Sequence, residues 1–204
     1  MKVYKHSSYE EYKQENIRLN VEKLPKVSNL IDKYIPVGEY LRDKMPWVKV
    51  GICHGSRNGK EIDVLHRYVP NCYIIGTEIS HTANDFPNTI QWDFHDVKSE
   101  WLDSVDFIYS NTLDHSHSPE YCISQWVRCL SPNGLAFVEW DIDKSLVENA
   151  ADCFGATVEE YRDMFNKIGC LHEEFIIKDP RMIFVLKKTN IDLDNLPKLN
   201  KFNE

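Results

Sequence analysis

From Val48 onward the chain alternates short apolar runs with amphipathic stretches, a rhythm that predicts strands alternating with helices. Strands are expected over 48–53, 73–78, 89–94, 105–110 and 135–140. Between them, 60–68 carries Ile62, Val64 and Leu65 on one side. The run 119–130 opens with Ser118 as N-cap and Pro119 at the first helical position, and ends at the breakers Ser131-Pro132-Asn133-Gly134. The stretch between Glu78 and Thr89 is too short for a full crossover helix and is expected to hold one turn or a loop. A third helix is predicted over 158–168, opened by Thr157 and Glu160 at capping-box spacing. Two further strands, 173–177 and 182–186, are joined by Lys178-Asp179-Pro180-Arg181, a connection short enough to make them antiparallel neighbours. The expected fold is α/β: a seven-stranded, mostly parallel sheet with helices on both faces and a C-terminal antiparallel hairpin.

Ahead of this lie a charged, helix-prone stretch over 8–20 and apolar positions at Leu24, Val27, Leu30, Ile31, Tyr34 and Leu41, broken by Pro25 and Pro36. Short helices are expected there, forming an N-terminal extension over 1–46. They are expected to pack against the sheet, with a lid over a substrate site as the alternative. Residues 47–188 form the main domain, and the polar, aperiodic 189–204 is expected to be a mobile tail. With 204 residues and 42% hydrophobic content the chain suits one domain with a substantial core. A net charge of -8 argues against a broad nucleic-acid-binding face. The six cysteines form no CxxC pair, which points to reduced thiols rather than a disulfide framework or structural zinc. No apolar run approaches membrane-spanning length and no signal-peptide core is present, so a soluble, cytoplasmic protein is expected.

The chemistry begins where the first strand of the domain runs into Gly55-Ser56-Arg57-Asn58-Gly59 and the next strand ends on Glu78. Spaced glycines let the backbone turn tightly and approach a ligand, and an acid about 20 residues on can accept hydrogen bonds from ribose hydroxyls. This order resembles the class I S-adenosylmethionine-dependent methyltransferases from Trp47 to about Lys188. Four segments carry the resemblance. Val50 to Gly59 is similar to the family's first glycine loop, and Glu78 to its ribose-binding acid. Gln91-Trp92-Asp93-Phe94 is similar to the segment whose Asp contacts the adenine amino group, and Ser131-Pro132-Asn133-Gly134-Leu135 to the turn into the fifth strand. The resemblance implies a Rossmann-like fold, S-adenosyl-L-methionine as cofactor, and cofactor contacts from Gly55, Ser56, Arg57, Gly59, Glu78, Ile79, Asp93, Phe94, Ser110 and Asn111. It also shows a departure. Cys53 and His54 stand where most relatives carry an acid that helps hold the methionine amino group, and Arg57 stands where glycine is frequent. Arg57 is alternatively a helix-start residue that caps or pairs with Glu61.

Ligands of open α/β sheets bind outside the carboxyl ends of the strands. There, Asp114, His115 and His117 follow the fourth strand, and Glu139, Asp141 and Asp143 follow the fifth. Methyl transfer from a sulfonium is an in-line displacement, so the protein has to align the acceptor and remove its proton. His115 is a candidate base oriented by Asp114. Alternatively, Asp114, Asp141 and His115 hold Mg2+ or Mn2+, which lowers the acceptor's pKa. This placement resembles metal-dependent catechol and sugar O-methyltransferases. In the opposing reading Asp114 opens an Asx-turn, His115 and His117 are exposed, and 139–143 is a solvated acidic loop.

His95 is expected to pair locally with Asp96. The tryptophans are expected mostly in the core, with Trp92 and Trp140 placed to flank cofactor and acceptor. The run from Tyr109 to Ser116, with Pro119 following, is similar to methyltransferases of viral and bacterial polysaccharide assembly. That similarity implies a sugar or glycan hydroxyl as acceptor (and the host cytoplasm if the chain is viral). A phenol- or catechol-like acceptor is the alternative. A nicotinamide-dependent oxidoreductase would share the glycine loop and Glu78, but the closing hairpin and Asp93 oppose it. An inactive cofactor-binding scaffold would fit the altered loop.

Overall fold

Strands buried on both faces read as continuous apolar runs, and the centre of the sheet follows that rule. In β2 (Val50–His54) and β5 (Val105–Ser110) nearly every residue is buried. The computed structural model describes residues 1–24, 31–142, 150, 152–178, 180–188, 197–200 and 202. Val27, Leu30 and Asp143 lie outside them. The other strands are β1 (Lys2–Val3), β3 (Tyr73–Glu78), β4 (Thr89–Gln91), β6 (Leu130–Trp140), β7 (Phe154–Gly155), β8 (Leu171–Lys178) and β9 (Arg181–Lys187). The helices are α1 (Tyr9–Lys23), α2 (Ile35–Lys44), α3 (Lys60–Tyr68), α4 (Pro119–Cys129) and α5 (Val158–Ile168).

Seven strands form one sheet in the order β4-β3-β2-β5-β6-β9-β8. The first five are mutually parallel, and β9 runs antiparallel to both β6 and β8. The expected α/β fold with its closing hairpin is the fold observed. Strand order reverses between β2 and β5, so a crevice opens beyond their carboxyl ends, where His54 pairs with Thr77 on one side and Ser110 on the other. One apolar layer, with Ile108, Trp126, Val138 and Phe165, covers one face of the sheet. The other, with Leu41, Leu65, Phe107 and Phe137, covers the opposite face.

Local chemistry explains the ends of the elements. α5 starts on a capping box in which Glu160 N–H donates to Thr157 Oγ1 at 3.2 Å and Thr157 N–H to Glu160 Oε2 at 3.0 Å. Ser118 does occupy the N-cap of α4, but its side chain makes no cap bond there; its Oγ accepts from Asn200 N–H at 3.0 Å. The crossover after β3 is a single 3-10 turn, His81–Asp85. β4 stops at Gln91, short of the predicted 94, because the Asp93 carboxylate captures the His95 N–H at 2.9 Å and turns the chain. β6 begins at Leu130 rather than 135: Leu130 pairs with Val105 and Leu135 with Phe107, so the supposed breakers ride inside the strand as a bulge.

The N-terminal helices divide two functions. α2 buries Val37 and Leu41 and packs on α3, with Gly38 against the Tyr68 ring. α1 has no apolar stripe; its buried residues are Tyr12 and Asn20, and it lies across the carboxyl edge of the sheet. β1 pairs antiparallel with β7, which the sequence pattern did not predict. The tail is not loose where it is described. Asn200 Nδ2 donates to His117 O at 2.8 Å, and the Phe202 ring lies 4.6 Å from that of His117. All six cysteines are free and buried. Among the described residues, no helix is long and apolar enough to cross a membrane.

Candidate functional site

The glycine loop is shaped by its contacts. Gly55 has φ +70°, a left-handed conformation that favours glycine, and an added Cβ would collide with the Thr112 side chain. This close approach joins the loops after β2 and β5. Gly55 and Ser56 N–H both donate to Thr77 O, at 2.9 and 3.0 Å. Ser110 Oγ donates to His54 O at 3.3 Å, and buried Ser56 lies against Gly76. Gly59, φ +69°, is the N-cap of α3. His54 faces the core: its ring stacks on Trp126 at 4.7 Å, and burial pushes its pKa down to about 3, so it stays neutral.

Arg57 is neither a helix residue nor an N-cap. It adopts φ +43°, and its N–H donates to Glu78 Oε2 at 3.1 Å, while Ser80 N–H reaches Oε1 at 3.2 Å. Two backbone amides from different loops therefore hold the Glu78 carboxyl at the end of β3. Burial pushes its pKa up, and these amides oppose the rise.

Above this edge α1 forms a roof. A cleft is bounded below by Gly55, Arg57, Glu78, Ile79, Asp93 and Phe94 and above by Tyr12, Asn16, Leu19, Asn20 and Lys23, with Thr112 and His115 also lining it. The roof is pinned by Tyr9 Oη donating to Asp93 Oδ2 at 2.8 Å, Tyr12 Oη to His115 O at 3.0 Å, and Thr82 Oγ1 to Asn20 Oδ1 at 2.8 Å. The stretch over 8–20 therefore lies over the cleft, and α2 supplies the packing.

Asp93 is the hub beneath the roof. His95 pairs with it rather than with Asp96: His95 Nδ1 lies 2.7 Å from Asp93 Oδ1, and Nε2 lies 2.7 Å from Ser116 Oγ. Burial would raise the Asp93 pKa, but the His95 charge and the hydrogen bonds from His95 and Tyr9 hold it well below the usual carboxylate range. The Asp-His-Ser chain has the connectivity of a hydrolase triad, yet Ser116 is 0% exposed, so no acyl substrate reaches it. It fastens the loop after β4 to the loop after β5.

Asp114 is buried in the 3-10 turn Leu113–His115, and His115 Nδ1 lies 3.6 Å from Asp152 Oδ1. Among the described residues, Asp114, His115 and Asp152 each offer a ligand atom, all within 4.8 Å of one another. Asp141, expected in this set, is elsewhere. The pairing of Trp140 with Met182 puts Asp141 opposite Arg181, whose Nε and Nη2 reach Asp141 Oδ2 at 2.8 and 2.6 Å. Glu139 is not in a solvated loop: it is buried in β6 and accepts from Tyr109 Oη at 2.7 Å. Asp152 stands in no motif; its only sequence signal was an acid in the long connection after β6. Tyr9, Tyr12 and Asn20 were equally silent within a charged helix.

Three further expectations are corrected. His117 is buried between Tyr12 and His95, and burial pushes its pKa down to about 3. Trp140 is core, with Nε1 donating to Ala156 O at 2.9 Å, and Trp92 packs on Trp101 under Lys98. Neither is among the residues that line the cleft.

A second cavity lies behind the glycine loop and is lined among others by Lys33, Tyr34, Arg57, Lys60, Glu61 and Asn111. Glu61 is 6% exposed there, and burial pushes its pKa from 4.5 up to about 8. Between those values the folded chain keeps a proton that the unfolded chain releases, so stability falls as pH rises through the window. Glu61→Gln is therefore expected to raise Tm at pH 8, by about 2–4 °C per kcal/mol relieved, and to leave it unchanged at pH 4. Thermal melts at both pH values check this; an equal shift at both would contradict it.

No protein-family model matches the chain, and no curated protein matches its sequence. Solved structures do match in fold. The chain is similar to the plantazolicin methyltransferase BpumL in complex with a monoazolic desmethylPZN analog and SAH, at 12% identity and TM-score 0.64, over 88% of this chain and 97% of that one. It is also similar to the mitomycin 7-O-methyltransferase MmcR (10% identity, TM-score 0.59, 78% of this chain) and to the citrinin polyketide synthase CMeT domain (10%, 0.55, 71%). Of the last two it spans about half the length, 54% and 48%.

Proposed function

We propose that this chain is an S-adenosylmethionine-dependent methyltransferase acting on a hydroxyl of a sugar or glycan. The observation that carries the reading is Glu78: a carboxyl clamped by two loop amides at the floor of a roofed cleft that Asp93 also lines. This set fits an adenosine group. Glu78 would accept from the ribose hydroxyls, Asp93 from the adenine amino group, and Ile79 and Phe94 would supply apolar contact. The Gly55 to Gly59 loop and Asn111 would lie along the rest of the ligand. Bound there, the cofactor supplies an activated methyl group on a sulfonium.

The chain's own part is alignment and proton removal. His115 lines the cleft beside Asp152, and an imidazole oriented by a carboxylate is suited to accept a hydroxyl proton near neutral pH. The roof over the cleft would exclude water during transfer. A sugar acceptor is favoured by the two acids grouped with His115, by the net charge of -8, and by the resemblance of the run from Tyr109 to Ser116 to polysaccharide methyltransferases. A phenol- or catechol-like acceptor uses the same groups. The reaction would take place in the cytoplasm.

A second reading has its own observation. Asp114, His115 and Asp152, with donor atoms within 4.8 Å of one another, suit Mn2+ better than Mg2+ because an imidazole is among them. In that reading Asp152 replaces Asp141 as ligand, and the ion's charge lowers the acceptor's pKa. The expected result is loss of activity with chelator, rescue by Mn2+, and weaker rescue in Asp152→Asn. Full activity in chelator assigns His115 to proton transfer alone.

Calorimetry tests the central reading. Micromolar binding of S-adenosylhomocysteine with no binding of NAD is expected, and the reverse would sink it. A donor-coupled methylation screen over sugars, glycans and phenols then identifies the acceptor.

A further inference from the structure

We propose that Asn200 and Phe202 form a latch that holds α1 shut over the cleft, so that undocking of the tail sets how fast a bound ligand leaves. That the ligand is the spent cofactor rests on the cofactor reading of the cleft; the latch itself rests on contacts that are independent of it. A roofed cleft has to open for each exchange of ligand, and in many enzymes lid opening or product release limits turnover.

α1 is lightly held for a helix that covers a site. Tyr12 and Asn20 are its buried residues, and Tyr9 is exposed. An element with so few buried apolar contacts belongs to the low-stability end of a structure, so its closure depends on a few side chains. Tyr9 and Tyr12, whose hydroxyls reach Asp93 and His115 O, are the chief of these. Lying three residues apart, they share one side of the helix. Phe202, the one aromatic residue of 189–204, packs beside both: its ring centre lies 6.0 Å from that of Tyr9, 6.4 Å from Tyr12 and 4.6 Å from His117. Phe202 therefore ties α1 to the loop after β5. Asn200 anchors it there, its N–H donating to Ser118 Oγ at 3.0 Å and its Nδ2 to His117 O at 2.8 Å.

The docked tail is also built to release. Ser118 holds the N-cap position of α4 without making a cap bond, because its hydroxyl accepts from Asn200. On undocking, that hydroxyl is free to accept from the first-turn amides of α4, so one hydrogen bond replaces another. His117, against which Phe202 packs, has Nδ1 buried with no partner, a cost of the docked state that water relieves. A cavity lined among others by His6, His117, Asn200 and Phe202 runs beside the latch, so the packing around it is incomplete. Docked and undocked tails therefore lie close in free energy, which is what a gate requires.

Amide hydrogen exchange and stopped-flow release of S-adenosylhomocysteine, both on the full chain, compare wild type with Phe202→Ala, Phe202→Tyr and Asn200→Ala. Phe202→Ala is expected to speed exchange of the α1 amides about tenfold and to leave those of β2 and β5 unchanged. Release of S-adenosylhomocysteine is expected to quicken by about the same factor. Asn200→Ala is expected to act in the same direction, and Phe202→Tyr, which keeps the ring, to match wild type. Unchanged α1 exchange in both alanine variants overturns the latch, and so does equal quickening in β5, which marks a general loss of stability. Either result leaves the cofactor reading standing so long as wild type binds S-adenosylhomocysteine. Faster α1 exchange with unchanged release overturns the gate. Faster α1 exchange in a chain that binds no S-adenosylhomocysteine upholds the latch and removes the cofactor reading.

Discussion

His115→Ala is expected to reduce methyl transfer by about 10²–10⁴-fold while S-adenosylhomocysteine binds nearly as before. His115 reaches the cleft from the 3-10 turn after β5, and its backbone carbonyl is gripped by Tyr12 Oη and by Cys153 Sγ at 3.1 Å. Those contacts are to the main chain, so the substitution removes the imidazole without releasing the loop. Asp152→Asn keeps the shape of the orienting group but removes its charge. A smaller loss is expected there. Single-turnover rates and calorimetry together check this; unchanged turnover in His115→Ala would remove the residue from the chemistry.

Glu78→Ala is expected to weaken S-adenosylhomocysteine by about 30-fold or more, because truncating one partner of a buried charged set costs about 2–5 kcal/mol. It leaves Arg57 N–H and Ser80 N–H without their acceptor, so loop order falls with affinity. pH carries a second signature. The ribose-binding form is the carboxylate, and burial raises its pKa, so affinity is expected to fall on acidification at a higher pH than for an exposed Glu. Glu78→Gln should bind weakly and lose that pH dependence. The same pH dependence of affinity in wild type and Glu78→Gln would show that Glu78 does not meet the ligand.

Both predictions centre on a residue legible in the chain by position: an acid ending one strand and a His following another. What supports them was not legible. Tyr9, Tyr12 and Asn20 sit in a helix whose composition gives no apolar stripe, and only its placement across the sheet edge turns them into a roof. Asp93 was read as an adenine contact, yet its neighbours His95, Ser116 and Tyr9 come from three separate segments. Asp141 and Asp152 exchanged places for a similar reason. Antiparallel register hands Asp141 to Arg181, and the long connection after β6 returns Asp152 to His115.

Periodicity, capping chemistry and turn length depend on neighbours a few residues away, so they sufficed for the order of strands and helices, the capping box at Thr157, the closing hairpin and the loop that Gly55 and Gly59 bend. Which groups meet depends on register and crossover geometry, which bring together residues scores of positions apart. Tertiary packing alone therefore decided that α1 covers the cleft, that His54 and His117 are neutral core residues, that Asp152 joins His115, and that Glu61 stands buried beside Arg57.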